Sequence, residues 1–423
     1  MNNTLTKNEN WEELKLQKIG AVVTGKTPSQ DNPEYWGDVL DFITPTDIKT
    51  SSKYLTKTAR LLSREGRNAF NRLIIPAYSV VVTCIGSDMG KVIINKNECL
   101  ANQQINSIIV NKDFDIDFVY YLLKNSYKIL RLNAEGVGST MPIINKSSFE
   151  NLVFRIPTSI NEQRSISLVL SALDNKIELL KKQNETLEQI ARVVFSEWFV
   201  EFNFPNEKGK LYKMSGGKMI KSELGEIPEG WKVGMIKNLI DIFSGYAFKS
   251  VDFNAGGKYG LVTIKNVQSG YFVEQTTDRL VSIPNKMPKY CQLKTGDILL
   301  SLTGNVGRIC YVVGDNYFLN QRVAKIKAKN EKDFAFSYVY FRQETFLETL
   351  ENVASGTAQQ NLSPIKTGEL DMIIPSRLIL DNFSNIVNPM INKMFQNSLQ
   401  IQQLTSIRDT FLPKLMSGDL RVK

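Results

Sequence analysis

One stretch of this chain has the residue types to cradle a phosphate. Gly20-Ala-Val-Val-Thr-Gly25-Lys26-Thr27 satisfies G-x-x-x-x-G-K-[ST], in which backbone amides wrap a phosphate and lead straight into a helix N-terminus. The neighbouring residues oppose that geometry. Val22, Val23 and Thr24 are β-branched strand formers, and Pro28 and Pro33 stand where the helix would run. The stretch is therefore not expected to bind ATP. The chain has no histidine, which removes Ser-His and Cys-His nucleophiles, His-ligated metals and imidazole bases. Its four cysteines (Cys84, Cys99, Cys291, Cys310) form no C-x-x-C pair and read as buried apolar residues in a reducing compartment. The Asn/Asp-Pro-Pro-aromatic element of amino-methyltransferases, the Pro-Asp…Glu-x-Lys pattern of nucleases and G-x-S-x-G are all missing. Nothing here predicts catalysis or a cofactor held by this chain.

The polar residues that do recur sit in loops, and they are of another kind. In the first half they are Thr44, Thr46, Lys49, Ser87, Lys91, Asn102, Gln103, Gln104, Ser139 and Thr140. The second half has Thr263, Lys265, Asn266, Thr303, Asn305, Arg308, Asn320, Gln321, Arg322, Thr357, Gln359, Gln360 and Asn361. Amides and hydroxyls with scattered Lys and Arg are what reading of base edges requires, since Asn and Gln pair with adenine and Arg with guanine through two hydrogen bonds. Any one of them also suits turn chemistry. As a set in two copies they favour reading.

Charge agrees with a polyanionic partner. The 423 residues carry 52 Lys+Arg against 43 Asp+Glu, a net charge of +9. Lys49, Lys53, Lys57, Arg60, Arg64, Arg67 and Arg72 crowd one segment, and Arg322, Lys325, Lys327 and Lys329 another; both suit phosphate contact. The longest apolar run, Leu73 to Ile85, is interrupted by Pro76, so no membrane span is expected, and the polar start predicts a cytoplasmic protein.

These loops must be positioned by a duplicated scaffold. An offset of 217–220 residues lays Trp11 on Trp231, Gly25 on Gly245, Gly90-Lys91 on Gly307-Arg308, and Asn102-Gln103 on Asn320-Gln321. It also lays Gly138-Ser139 on Gly356-Thr357, Ile156-Pro157 on Ile374-Pro375, and Asn175-Lys176 on Asn392-Lys393. Each copy opens with short β-type runs, such as Val80–Thr83 and Val92–Ile94 or 297–302 and 309–313, passes through a helical patch, and closes on an Ile-Pro before a long helix. Residues 204–230, rich in Gly and Lys, read as a linker.

The first long helix starts at a capping box, Ser159-x-x-Glu162. Ile166, Leu170, Leu173, Ile177, Leu180, Asn184, Leu187, Ala191, Val194 and Trp198 then follow in steps of four and three. The second copy repeats the seam through Phe383, Val387, Met390, Met394, Asn397, Ile401, Leu404, Arg408, Phe411 and Leu415. Two such seams bury each other most simply as an antiparallel pair. A register in which residue numbers sum to 581 sets Asn184 against Asn397, Ile177 against Leu404, Val194 against Val387 and Trp198 against Phe383. A buried Asn pair specifies register because sliding it would strand polar groups. The expected fold class is α+β: two β-rich domains (1–158 and 231–375) separated by two long antiparallel helices (159–203 and 376–423) acting as a coiled-coil spacer, in a pseudo-two-fold internal repeat.

Four stretches resemble the specificity (S) subunit of type I restriction-modification enzymes, along essentially the whole chain. They are Thr24–Ser29 with Pro33–Gly37 and Ile43–Asp47; Asn161-Glu-Gln-Arg164 with Leu173–Ile177; Ser222-Glu-Leu-Gly-Glu-Ile-Pro-Glu-Gly-Trp231; and Leu404–Leu420. The second helix departs from the pattern, beginning Leu380-Asp-Asn382 and carrying Arg408 in its seam. The resemblance implies two target-recognition domains, each reading half of an interrupted double-stranded DNA sequence. It also implies docking of two methyltransferase (M) subunits and of restriction (R) subunits. S-adenosylmethionine, ATP and Mg²⁺ would then belong to those partners, and the chain itself would be non-catalytic. The alternative, from a different class of function, is a coiled-coil scaffold joining protein partners, with two peptide-binding β domains.

Overall fold

The computed structural model describes residues 10–49, 52–55, 57–134, 142–355 and 361–422. The chain divides into two compact units, Met1–Leu179 with Gln402–Lys423, and Leu180–Ile401. Both boundaries fall inside the long helices, so each unit owns a half of each helix.

In the first unit Gly20–Thr24, Ile105–Val110, Val80–Thr83 and Val92–Ile94 lie side by side, in that order, as an antiparallel sheet. All four residues of Val80-Val81-Val82-Thr83 are buried, because both faces of the sheet are covered and β-branched side chains fill a pleated surface well. Val80, Val82, Ile94 and Ile108 face one apolar cluster with the helix Ile116–Lys124, while Val81, Ile93 and Ile105 face another with Ile43 and Ile48. That helix is started by Asp115, whose carboxylate accepts the Phe118 N–H at 2.8 Å. A second sheet runs Trp36–Gly37, Arg60–Leu62, Leu40–Ile43, Cys99–Ala101, and a ribbon of Trp11–Lys15 with Val153–Pro157 closes the β-rich part.

The second unit repeats the plan. Ile240–Ser244, Val323–Ala328, Ile298–Ser301 and Ile309–Tyr311 form the first sheet, and Arg279–Leu280, Tyr259–Val262, Tyr317–Leu319 and Gln292–Leu293 the second. Lys232–Met235 pairs with Asp371–Ile374 as the closing ribbon. Each unit also has a parallel pair in its second sheet, Leu40–Ile43 with Cys99–Ala101 and Tyr259–Val262 with Tyr317–Leu319.

Several expectations need correction. Residues 204–230 are not a featureless linker: Met219–Ser222 and Gly225–Pro228 form a hairpin, and Phe204 stacks between Tyr212 and Trp231 at 4.6 and 5.2 Å. Aromatic burial organises a segment whose Gly and Lys content reads as flexible. The first long helix spans Ile160–Phe195 and ends in a π-helical turn, Ser196–Val200; the second spans Arg377–Ser417. Glu162 spends its carboxylate on the Trp11 indole N–H at 3.0 Å, tying the helix start to the first strand in place of the expected capping box.

Within the second unit the helix halves run antiparallel: Asn397 Nδ2 donates to Asn184 Oδ1 at 2.9 Å, and Trp198 packs on Phe383 with ring centres 6.0 Å apart. Asn184 Nδ2 also donates to Ser398 Oγ at 3.1 Å. Val387 is buried with Val194 packed at the same core. Within the first unit Arg408 donates to Asp174 at 2.7 Å, Ile177 is buried and Leu404 half-buried. The seam departs from strict heptads in two places. Ile391 is buried where Met390 was expected, and Phe411 is 36 % exposed while Leu412 takes its place inside. Both departures fall between seam positions that hold, Val387 to Met394 and Arg408 to Leu415, where the chain steps four then three instead of three then four.

Candidate nucleic-acid interface

The phosphate-loop pattern is a strand and a turn. Gly20–Thr24 is the edge strand of the first sheet, and Lys26 N–H donates to the Ala101 carbonyl at 2.8 Å. Gly25 is required by a close approach: a Cβ there would lie 2.1 Å from the Ala101 oxygen and 2.2 Å from the Asn102 oxygen. Gly245 is equally crowded, 2.1 Å from the Asn320 oxygen. Both glycines let the first strand's exit pass over the amide-bearing turn of its own unit.

That turn is built alike in both. Asn102 is buried and its Oδ1 accepts the Gln104 N–H at 3.0 Å; Asn320 Oδ1 accepts the Arg322 N–H at 3.2 Å. Gln103 and Gln321 are left exposed at the tip, with Gln103 Oε1 accepting from Thr27 Oγ1. A second loop is a β-turn whose last residue reaches back with its side chain to the first. Asp47 accepts from Thr44 N–H and Oγ1 at 2.8 and 2.6 Å, and Asn266 accepts from Thr263 N–H and Oγ1 at 2.9 and 3.2 Å. Asn266 also donates to the Val273 and Gln275 carbonyls and is 1 % exposed. Thr44, Asn102, Thr263 and Asn266 are thus turn makers, whereas Thr46, Lys49 and Lys265 remain exposed beside them.

A third loop leaves the central strand of each first sheet. In the first unit it carries exposed Ser87 and half-buried Lys91, whose Nζ meets Asp88 at 2.9 Å and the Pro45 carbonyl at 3.4 Å. The Cys84 N–H donates to the Gln104 carbonyl, so the three loops converge. In the second unit the loop carries Thr303, exposed Asn305 and half-buried Arg308. Leu302 N–H donates to the Arg322 carbonyl, Asn320 N–H to the Val262 carbonyl, and Thr303 bridges Asn361. Ser139, Thr140, Thr357, Gln359 and Gln360 lie outside the described residues. Sequence reading missed Thr27, and also Gln268, which receives the Arg308 guanidinium from a two-residue ribbon too short to leave a pattern.

The basic clusters are smaller than they read. Lys53 is buried between Asp117 (2.9 Å) and Ser171 (2.8 Å), Arg60 stacks 3.3 Å over Trp36, and Arg67 pairs with Glu98. Lys325 is buried against Asp297 at 2.7 Å. Lys49, Lys57, Arg64 and Arg72, and in the second unit Arg322, Lys327 and Lys329, remain exposed. Burial pushes the thiols of Cys84, Cys99 and Cys310 up to about 12, and that of Cys291 to about 11, so none is a nucleophile near neutrality. Among the described residues no group of three or more Cys, Asp or Glu is placed to hold a metal, and no helix is long and apolar enough to cross a membrane.

These features describe a duplicated module whose loops present polar and basic side chains. Across 97 % of both chains its fold is similar to the crystal structure of a type I restriction-modification S subunit from M. genitalium, with a TM-score of 0.56 and 19 % identity. The family described as the type I restriction modification DNA specificity domain matches residues 8–189 and 228–377. The MjaIX specificity subunit of Methanocaldococcus jannaschii is 29 % identical over 98 % of this chain and 94 % of its own. The HindI specificity subunit of Haemophilus influenzae is 26 % identical over 72 % and 77 %. The chain belongs to the type I restriction modification DNA specificity family, as a non-catalytic subunit that confers DNA sequence specificity.

Proposed function

We propose that each unit reads one half of an interrupted double-stranded DNA target, with the long helices setting the interval and helical phase between the halves. The observation that carries this reading is the duplicated loop set, in which Thr44–Asp47, Ser87–Lys91 and Asn102–Gln104 have counterparts in Thr263–Asn266, Thr303–Arg308 and Asn320–Arg322. The heptad seam supports the spacer role, since B-DNA repeats about every 10–10.5 bp and a stiff strut selects a phase. The relatives named as specificity subunits of type I restriction enzymes support a place in such a complex. In it, two methyltransferase subunits dock beside the helices, restriction subunits join them, and S-adenosylmethionine, ATP and Mg²⁺ are bound by those partners. The test is to exchange residues 231–375 for those of another family member in the assembled methyltransferase and to map methylated motifs by long-read sequencing. One half of the motif should change while the other half and the spacer length stay. A change in both halves would end the reading.

A further inference from the structure

The third loop is held by the same staple in both units, yet the basic side chain at its end is treated differently. In the first unit Thr83 Oγ1 donates to the Asp88 carbonyl and accepts the Lys91 N–H at 2.9 Å. In the second, Ser301 Oγ donates to the Asn305 carbonyl and accepts the Arg308 N–H at 2.9 Å. Gly304 and Gly307, at φ +72° and +81°, allow the chain to fold this tightly. The staple thus delivers a basic side chain to one fixed place. Lys91 is neutralised there by Asp88. Arg308 forms no ion pair among the described residues and meets only neutral oxygens. Its Nη1 donates to Gln268 Oε1, and the terminal amide of Asn305 lies 2.8 and 3.2 Å from Nη2 and Nη1, accepting from both when its oxygen is the atom turned to the guanidinium.

A guanidinium has five N–H donors in a rigid fork. Gln268 and Asn305 together use two donors of Nη1 and one of Nη2. What is left is the edge formed by Nε–H and the second Nη2–H, a ready two-donor fork with its full positive charge and a plane set by two amides. A phosphate contact needs charge but no fixed plane, whereas a base edge needs both.

We propose that Arg308 reads a guanine in the half-site of the second unit, donating from Nε and Nη2 to O6 and N7, with Gln268 as the residue that positions it. The inference rests on the reading of Leu180–Ile401 as a half-site reader. It also separates the two units at this position: the counterpart of Arg308 in the first unit, Lys91, pairs with Asp88 at 2.9 Å.

The test uses the complex assembled with its methyltransferase, with motifs mapped for wild type, R308A, R308K and Q268A. The wild-type motif contains a G·C pair at which R308A and R308K both lose discrimination, by about 5- to 150-fold, at that one position. R308K keeps the charge, so its salt dependence of binding matches wild type. Q268A loosens the same position to a smaller extent. Replacing that guanine by 7-deazaguanine, which lacks N7, weakens wild-type binding but leaves R308K unaffected, a readout that needs no methylation. An R308K motif identical to wild type at every position, or a uniform loss of affinity for all DNA in R308A without change of motif, would overturn the assignment in favour of a phosphate contact. A wild-type complex without sequence-dependent methylation would instead defeat the half-site reading itself.

Discussion

Asn184 and Asn397 are the polar pair on which the helix register turns. Asn397 is 1 % exposed, and its Nδ2 donates to Asn184 and the neighbouring Gln183. Replacing Asn397 by Leu removes the donor to the half-buried Asn184 oxygen, and a lost hydrogen bond of this kind costs about 1 kcal/mol. Thermal unfolding of Asn397→Leu should show that loss. The double change Asn184→Leu, Asn397→Leu should recover most of it, because two apolar residues can replace a polar pair once neither is stranded. Full stability in the single variant would show that the pair does not hold the register. The pairing was readable in sequence because each seam is interrupted by an Asn, and the register in which residue numbers sum to 581 sets the two opposite each other. The role of Gly25 was not. Its neighbours spell a phosphate loop, and only the approach of the Ala101 and Asn102 carbonyls shows why no side chain fits.

At the scale of elements, the first unit fastens its helix Ile116–Lys124 to both long helices through Asp174. That carboxylate accepts from Tyr121 Oη at 2.8 Å and Arg408 at 2.7 Å, with Lys124 Nζ 3.9 Å away. Burial alone pushes its pKa up, but Lys124, Arg408 and the Tyr121 hydroxyl outweigh burial and hold it below the usual carboxylate range. A carboxylate with a lowered folded pKa stabilises fully above its unfolded value of about 3.9, and that stability is lost as pH falls through the folded value. Asp174→Asn should therefore cost about 3 kcal/mol at pH 7, the scale for breaking a buried pair. The gap from wild type should shrink below about pH 4 in acid-unfolding curves, where the carboxylate of the unfolded chain begins to protonate. A gap that stays constant from neutrality into that acid range would contradict it. Arg408 looked like a flaw in the second seam; its partner lies on the other helix, 234 residues away, which no local pattern reveals.

For the molecule as a whole, the proposed reading makes the balance between free and internally paired cations the determinant of how DNA is held. Lys49, Lys57, Arg64 and Arg72 are exposed, whereas Lys53, in the middle of that cluster, is buried against Asp117. Neutralising the four exposed residues together should flatten the dependence of log K on log salt by about 0.9 for each phosphate they neutralise in the wild type, with the methylated motif unchanged. Lys53→Gln should instead lower the melting temperature. An unaltered salt slope in the fourfold variant would remove this segment from the DNA-binding surface. The duplication, the β-rich character of each half, the long helices and their register are all carried by local periodicity and spacing, which a chain displays whether or not it is folded. Tertiary structure alone decided which polar residues serve as turn makers, which cations are neutralised, and that residues 204–230 hold a hairpin preceded by an aromatic stack on Phe204. Those outcomes depend on groups far apart in sequence meeting in a desolvated interior, where each polar atom must find a partner and each charge a counter-charge.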